Sequence, residues 1–222
     1  MATNSLSQLI VVQEREWQEM QPGVRMKQLW IDEATNRRAL ISKIEPGAKL
    51  PLHRHVGDEF VYVIEGTLSD ESGTVTPGNV GYRPDGCAHT VSTKTGATVL
   101  AVITGGIELT NEIGDAPQSQ IFTVSELPWA EARPGIRLKT IWHDQASERR
   151  VALGRFEPGA VLPLHRHIGD ELVFVIEGSN ADEAGEVTTG NLSYRPNGCT
   201  HTVKTKNGAT ALTFLWGRSE ML

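Results

Sequence analysis

Six of the seven histidines fall into two triplets with the same internal spacing, and one glutamate interrupts each triplet. The two sets are His53, His55, Glu59 and His89, and His165, His167, Glu171 and His201. Three neutral imidazoles and one carboxylate form a ligand set for a divalent metal such as zinc, iron, nickel or copper. The repeated spacing therefore predicts one metal ion in each half of the chain.

The repeat extends well beyond these ligands. The shift that places His53 on His165 aligns the chain with itself without a gap, and more than half of the positions from Trp17 to Gly105 are identical to their counterparts. A period as long as the separation between His53 and His165 is typical of a whole small domain, whereas solenoids and propellers repeat roughly every 20 to 50 residues. We therefore predict two domains with the same fold, at 7–118 and 119–222, joined near the polar segment 107–118.

Strand signals dominate each half, and helical periodicity is rare. Short β-branched and aromatic runs alternate with Pro-Gly, Ser-Gly and Asp-Gly breakers, which indicates a sandwich, barrel or jelly roll. Alternate residues of a strand share a face, so His53 and His55 should point the same way. A turn at 56–58 should return the chain and bring Glu59 to the next strand, and a loop shaped by Pro84 and Gly86 should deliver His89.

Composition narrows the classes of partner. A net charge of −6 and a pI near 5.7 provide no basic surface for nucleic acid or an anionic membrane. No apolar run approaches the roughly 18 residues needed to span a bilayer, and the run at 9–12 is too short for a signal peptide. We expect a cytoplasmic protein that binds neither nucleic acid nor membrane.

The two cysteines, Cys87 and Cys199, occupy equivalent positions two residues before the last histidine of each triplet. One interpretation is a small buried residue on a tight loop. The other is a thiol close enough to the metal to be oxidised or to join the ligands. A disulfide between them is disfavoured, because it would have to join matching loops of separate domains in a reducing compartment.

The spacing of the histidines, the glutamate, the glycines and the proline in each half resembles that of the cupin superfamily. The first cupin motif, G-x5-H-x-H-x3-E-x6-G, is matched at 47–66 and again at 159–178. The second, G-x5-P-x-G-x2-H-x3-N, is matched at 78–93 and 190–205, except that Thr93 and Thr205 replace the final asparagine, which is not a ligand. The resemblance implies an all-β chain of two tandem cupin jelly-roll barrels of the RmlC-like type.

Within the cupins, the phrases Pro-Leu-His-Arg-His, Val-Ile-Glu-Gly and Asp-Glu-x-Gly are similar to the ChrR-type family. That resemblance implies a regulatory or stress-sensing role like that of the cupin-like domain of an anti-sigma factor. We identify no counterpart of the helical anti-sigma domain before the first repeat, so we do not expect sigma-factor inhibition through such a domain. The same family resembles small dioxygenases that cleave diketones or hydroxyacetophenones with iron on the same ligands.

These resemblances leave two hypotheses. A regulatory or ligand-binding bicupin needs only a closed, four-coordinate zinc site. An Fe(II) dioxygenase needs the same ligands on one side of an octahedral ion, with positions left for substrate and O₂. We expect zinc, with iron, nickel or manganese as alternatives, no organic cofactor, and a protein or small-molecule partner in a homodimer. The sequence assigns no catalytic residue.

The repeated ligand set makes a stoichiometric prediction. Protein purified without chelator and reconstituted with excess zinc or iron should hold two ions per chain by elemental analysis, because all eight ligands are present. A stoichiometry that stays near one would contradict the two-site interpretation.

Overall fold

A computed structural model describes residues 7–222. In the first half, the strands are β1 (Gln8–Ile10), β2 (Gln18–Gln21), β3 (Val24–Asp32), β4 (Arg37–Ile44), β5 (Lys49–Val56), β6 (Glu59–Gly66), β7 (Leu68–Asp70), β8 (Gly73–Val75), β9 (Val80–Arg83), β10 (Ala88–Ser92), β11 (Ala97–Thr104) and β12 (Gly106–Leu109). In the second half they are β13 (Gln120–Phe122), β14 (Ala130–Arg133), β15 (Ile136–Asp144), β16 (Arg149–Phe156), β17 (Val161–Asp182), β18 (Gly185–Thr188), β19 (Leu192–Arg195), β20 (Thr200–Lys204) and β21 (Ala209–Met221).

Helices are almost absent from the described residues. The helical segments among them are two 3-10 turns of three residues each, Val12–Glu14 and Val124–Glu126. Within residues 7–222, therefore, no helix has the length and apolar character required to cross a membrane. The predicted all-β class is confirmed.

The chain forms two compact units. The N-terminal unit comprises residues 13–126, and the C-terminal unit comprises residues 7–12 together with 127–222. In the N-terminal unit, one sheet has the order β13-β9-β6-β11-β4-β3-β2 and the other β12-β5-β10-β7-β8. In the C-terminal unit the order is β1-β19-β17-β21-β16-β15-β14, with β18 and β20 also paired to β17. Each unit is a jelly-roll barrel.

The first strand of each repeat pairs within the unit built mainly from the other repeat. β1 lies antiparallel to β19, with Gln8 opposite Tyr194, and β13 lies antiparallel to β9, with Gln120 opposite Tyr82. An added strand covers a sheet edge that would otherwise expose unpaired backbone groups. The compact units are therefore offset by several residues from the predicted boundaries 7–118 and 119–222, which mark the sequence repeat.

A corner, rather than a hairpin, connects the strands that carry the first ligands. β5 pairs with β10 and β12, whereas β6 pairs with β9 and β11 in the other sheet. The predicted return of the chain at 56–58 was therefore wrong, because the chain changes sheet at Gly57 instead. Gly57 has a positive φ of 95°. In the C-terminal unit, β17 passes through the equivalent corner without interruption.

Aliphatic side chains from both sheets fill the interior of the N-terminal barrel. Val63, Leu68, Val75 and Val99 are almost completely buried and belong to one packed cluster. Each such side chain contributes about 1.5–3 kcal/mol by leaving water. This packing fixes the strands whose ends carry the histidines.

Steric constraints explain why a glycine ends the first cupin motif. Gly66 has a φ of 73°, and a Cβ at this position would collide with the carbonyl oxygen of Gly96. Gly47, at the start of the motif, has a similar φ of 82° but open space around its missing Cβ. Alanine substitutions at the two positions would therefore separate the energetic cost of the left-handed backbone conformation from that of a steric clash.

Gly66→Ala should lower the free energy of unfolding by about 3 kcal/mol or more, because it combines left-handed strain with a backbone clash. Gly47→Ala is the matched control and should cost only about 1–2 kcal/mol. Denaturant unfolding of both variants measures the difference. Equal losses would show that the clash is relieved at no cost.

Candidate metal centres

The structure gathers the first histidine triplet at one point in the N-terminal barrel. His53 and His55 lie on β5, His89 lies on β10, and the Cα of His89 is paired directly with that of His53. One ring nitrogen from each histidine lies within 4.8 Å of the other two. All three side chains are at least 95% buried, with exposures of 5%, 1% and 2%.

The second triplet is gathered in the same way in the C-terminal barrel. His165 and His167 lie on β17, His201 lies on β20, and His165 is paired with His201. Their ring nitrogens also lie within 4.8 Å of one another, and all three residues are buried. The shared face predicted for each H-x-H pair is thus what brings its two imidazoles together.

Hydrogen bonds orient the first imidazole of each triplet. His53 Nδ1 lies 2.9 Å from the carbonyl oxygen of Pro51, and His165 Nδ1 lies 2.9 Å from that of Pro163. A carbonyl oxygen only accepts, so Nδ1 carries the proton and donates it. Nε2 is then left with a lone pair for a metal, which is the usual arrangement of metal-binding histidines.

The other two imidazoles of each triplet face one another. The Nε2 atoms of His55 and His89 are 2.9 Å apart, and those of His167 and His201 are also 2.9 Å apart. Two nitrogen lone pairs at this distance repel unless a proton or a cation lies between them. Two ligands about 2.1 Å from one ion lie about 3.0 Å apart when their bonds meet at a right angle, and about 3.4 Å apart at the tetrahedral angle. The observed separation is close to that of two nitrogens that share one ion, so the donor set fits a metal.

Burial favours the neutral form of the two imidazoles of each H-x-H pair. It lowers the pKa of His55 and of His167 to about 4, and it also lowers the pKa of His53 and His165. A neutral imidazole is the form that binds a metal. His53, His55, His165 and His167 are therefore ready to bind metal at neutral pH, without first losing a proton.

The glutamates lie beside the triplets but outside the tight group of nitrogens. Glu59 Oε2 is 3.6 Å from His55 Nε2, and Glu171 Oε2 is 3.6 Å from His167 Nε2. Burial alone would raise the pKa of Glu59, but His55 and Arg83 beside it hold the pKa below its usual value. The carboxylate is therefore ionised and within reach. Its direct coordination remains a prediction.

An aspartate and an arginine near each centre were not predicted from the sequence. Arg83 donates to Asp70 Oδ2 at 2.9 Å, and its Nε lies 4.0 Å from Glu59 Oε2. Asp70 Oδ2 is 3.4 Å from His89 Nδ1. Burial opposes ionisation of Asp70, but His89 and Arg83 hold its pKa well below the usual range. A carboxylate behind a histidine ligand fixes the ring orientation and makes the ligand more basic.

The C-terminal centre repeats this arrangement with shorter contacts to histidine and glutamate. His201 Nδ1 lies 3.1 Å from Asp182 Oδ2, and Arg195 donates to Glu171 at 3.2 Å and to Asp182 at 3.3 Å. Asp182 and Arg195 are the counterparts of Asp70 and Arg83, at the same offset that relates the two histidine triplets. Their identity between the repeats was the signal that could have revealed them.

The cysteines contact serines rather than the histidine nitrogens. Cys87 Sγ lies 3.6 Å from Ser119 Oγ, and Cys199 Sγ lies 3.9 Å from Ser7 Oγ. Ser7 also donates to Asp182 Oδ2 at 2.7 Å. Burial raises the pKa of both thiols, which keeps them protonated, and the metal-ligating clusters within residues 7–222 contain neither cysteine. These observations favour the interpretation of a small buried residue.

Each centre lies in the wall of a cavity within its own unit. His53, His55 and Glu59 line a largely apolar cavity of about 160 Å³ in the N-terminal unit. His165, Glu171 and Arg195 line a cavity of about 300 Å³ in the C-terminal unit. A small molecule in either cavity would directly contact the side chains predicted to bind the metal.

Comparison with known families now identifies the chain's relatives. The family model for the ChrR cupin-like domain matches residues 6–107 and again residues 117–218. This chain belongs to the ChrR cupin-like family. Both matched segments of this ChrR-like bicupin include a complete histidine triplet with its glutamate. No curated protein matches the chain at a significant level.

Solved structures of oxalate decarboxylase share the fold of the bicupin. An arginine-to-alanine mutant of the Bacillus subtilis enzyme has a TM-score of 0.73 at 17% identity, over 100% of this chain and 80% of that chain. A structure describing the substrate binding mode of oxalate decarboxylase gives 0.74 at the same identity and coverage. Another, from work on the Mn(II) centres of the Bacillus subtilis enzyme, gives 0.73. At this identity the likeness concerns the fold alone.

Asp70→Asn should weaken metal binding at the N-terminal centre about 10- to 100-fold, because His89 loses the carboxylate behind it. The affinity of the C-terminal centre should be unchanged, and Asp182→Asn should reverse the pattern. Competition with a chromophoric chelator measures both sites.

The exposed Asp115 provides a control for this pair, since Asp115→Asn should alter neither centre. If Asp70→Asn and Asp182→Asn both retain two ions at wild-type affinity, the aspartates have no supporting role.

Proposed function

We propose that this bicupin binds small organic molecules at two open divalent-metal centres and acts on them as a metal-dependent dioxygenase. The observation that carries the proposal is that His53, His55 and Glu59 line a cavity, as do His165 and Glu171. A closed structural site would have its ligands surrounded by packed side chains on every side. Here one side of each centre faces space that a small molecule can enter.

The donor set is compatible with the same choice. Three histidines and one glutamate could hold an octahedral ion such as Fe(II) or Mn(II) and would leave two positions for ligands. The proposal therefore favours Fe(II) or Mn(II) over the zinc expected from the sequence. The Mn(II) centres named for oxalate decarboxylase are a precedent on a similar fold.

Each group of residues has a distinct part in this function. The histidines and glutamate hold the ion, and Asp70 and Arg83 fix the orientation and charge of those ligands. The apolar walls, with Val61, Val99 and Leu50, would exclude water and bind the carbon skeleton of the ligand. Bound Fe(II) or Mn(II) would supply Lewis acidity and redox chemistry.

A regulatory role is the second candidate, and the observation that favours it is the family itself, which is described by the ChrR cupin-like domain. In this role, occupancy of the metal or of the cavity would be communicated to a partner protein. The two candidates differ in turnover, because a sensor needs to bind its ligand and an oxygenase also needs to consume it.

The open-site proposal predicts exchangeable water on the ion. Protein loaded with Mn(II) at both centres should strongly enhance the relaxation of water protons, at a level that requires at least one rapidly exchanging water per ion. Zinc-loaded protein is the diamagnetic control. Relaxation no greater than that of a fully enclosed Mn(II) ion would contradict an open site.

Oxygen consumption distinguishes the enzyme from the sensor. The iron-reconstituted protein should consume O₂ with multiple turnovers on one or more members of a panel of diketones and hydroxyacetophenones. The double variant His53→Ala/His165→Ala is the inactive control. Saturable binding of these compounds without turnover would support the regulatory candidate instead.

A further inference from the structure

The two cavities can be compared position by position, because the two repeats align without a gap. His165, Glu171 and Val173 line the C-terminal cavity where His53, Glu59 and Val61 line the N-terminal one. A histidine, the glutamate and a valine thus occupy equivalent positions in both linings, whereas His55 lines only the N-terminal cavity and Arg195 only the C-terminal one. Further differences lie in the remaining walls, which determine what each cavity can bind.

The C-terminal cavity is larger because several wall residues are smaller. Ala152 and Ala211 stand where Leu40 and Val99 line the N-terminal cavity, and Gly154 stands in place of Ser42. The volumes are about 300 Å³ and about 160 Å³ respectively. The larger cavity has room for a bulkier ligand beside the metal.

One buried wall position has changed from apolar to polar. Leu68 belongs to the packed apolar cluster of the N-terminal unit, whereas its counterpart Asn180 lines the C-terminal cavity. Asn180 is only 3% exposed, and its Oδ1 has no hydrogen-bond partner among the described residues. A buried polar group without a partner is costly. A ligand with a hydroxyl or N–H group would supply the missing hydrogen bond.

The two repeats also differ in the hydrogen bonds made by one arginine side chain. In the N-terminal unit, Arg38 donates to Asn36 and to the carbonyl oxygen of Gly105, both at 2.8 Å. Glu148 replaces Asn36 in the repeat, and it is held by Arg218 at 2.7 Å.

The side chain of Arg150, the counterpart of Arg38, makes no hydrogen bond or ion pair within residues 7–222, and it lines the C-terminal cavity. Arg133, the counterpart of Gln21, also lines this cavity. A half-buried guanidinium beside a cavity is suited to a carboxylate, which it can bind with two parallel hydrogen bonds. In the N-terminal cavity, Arg38 differs from Arg150 because its Nη2 is engaged by Asn36 and by the carbonyl oxygen of Gly105, although its buried Nε has no partner among the described residues.

We infer that the C-terminal cavity selects a small organic acid, with its carboxylate on Arg150 and a hydroxyl or N–H group on Asn180. This inference rests on the proposed function, in which each cavity takes a ligand beside its metal. It adds that the two centres are specialised: the N-terminal cavity suits a smaller neutral molecule, and the C-terminal cavity suits an anion.

Calorimetric titration of the full chain with zinc at both centres tests this inference, because zinc prevents turnover. The probes are 4-hydroxybenzoate, lactate and acetate, with 4-hydroxyacetophenone as the neutral counterpart of the first. We expect 4-hydroxybenzoate to bind once per chain. Arg150→Gln and Asn180→Leu should each weaken this binding about 10-fold or more, since each removes a buried hydrogen bond to the ligand.

Arg38→Gln is the matched control in the N-terminal unit and should leave carboxylate binding unchanged. Every variant should retain two zinc ions, so that a change in affinity reflects the cavity wall rather than loss of metal. Equal weakening by Arg38→Gln and Arg150→Gln, or binding of two carboxylates per chain, would overturn the inference.

The result also separates this inference from the proposed function. Binding of 4-hydroxyacetophenone without binding of any of the three carboxylates would overturn the specialisation and leave the open-site proposal intact. Absence of binding by all four probes, together with Mn(II) that carries no exchangeable water, would overturn both.

Discussion

The charge at each buried centre is the constraint on which the rest of the structure depends. Glu59 and Asp70 place two carboxylates beside the triplet, and Arg83 supplies one positive charge between them. The Nε2 atoms of His55 and His89 face each other at 2.9 Å. Buried charge is stable only when it is paired, and a bound cation would pair with the remaining carboxylate charge. The barrel, its corner at Gly57 and the pairing of β5 with β10 all hold these groups in place.

Much of this centre could be predicted from the sequence because its rules are local. Residues two apart on a strand share a face, which predicts that His53 and His55 converge. The gapless repeat then transfers every conclusion to the second unit. The all-β class followed from short β-branched runs between breakers, and the jelly-roll architecture from the cupin motifs.

Other parts depend on tertiary contacts that no local rule contains. Asp70 precedes a turn and Arg83 precedes a proline, so each resembles an ordinary surface charge until the sheets bring them together. The sequence does not distinguish a hairpin turn at Gly57 from a corner between two sheets, because a glycine with a positive φ occurs in both. The pairing of β1 and β13 with strands of the other sequence repeat was also hidden, since short edge strands carry little pattern. The importance of Asn180 could not be predicted either, because it depends on the position of this residue in the cavity wall.

Anomalous diffraction from crystals of the metal-loaded protein tests the central claim most directly, because it locates ions independently of any activity. We predict two ions per chain, one bound by Nε2 of His53, His55 and His89 and one by Nε2 of their counterparts. We also predict a glutamate oxygen on each ion and at least one ligand position facing the cavity. Anomalous density away from the histidines, or a single ion shared by the two triplets, would contradict this prediction.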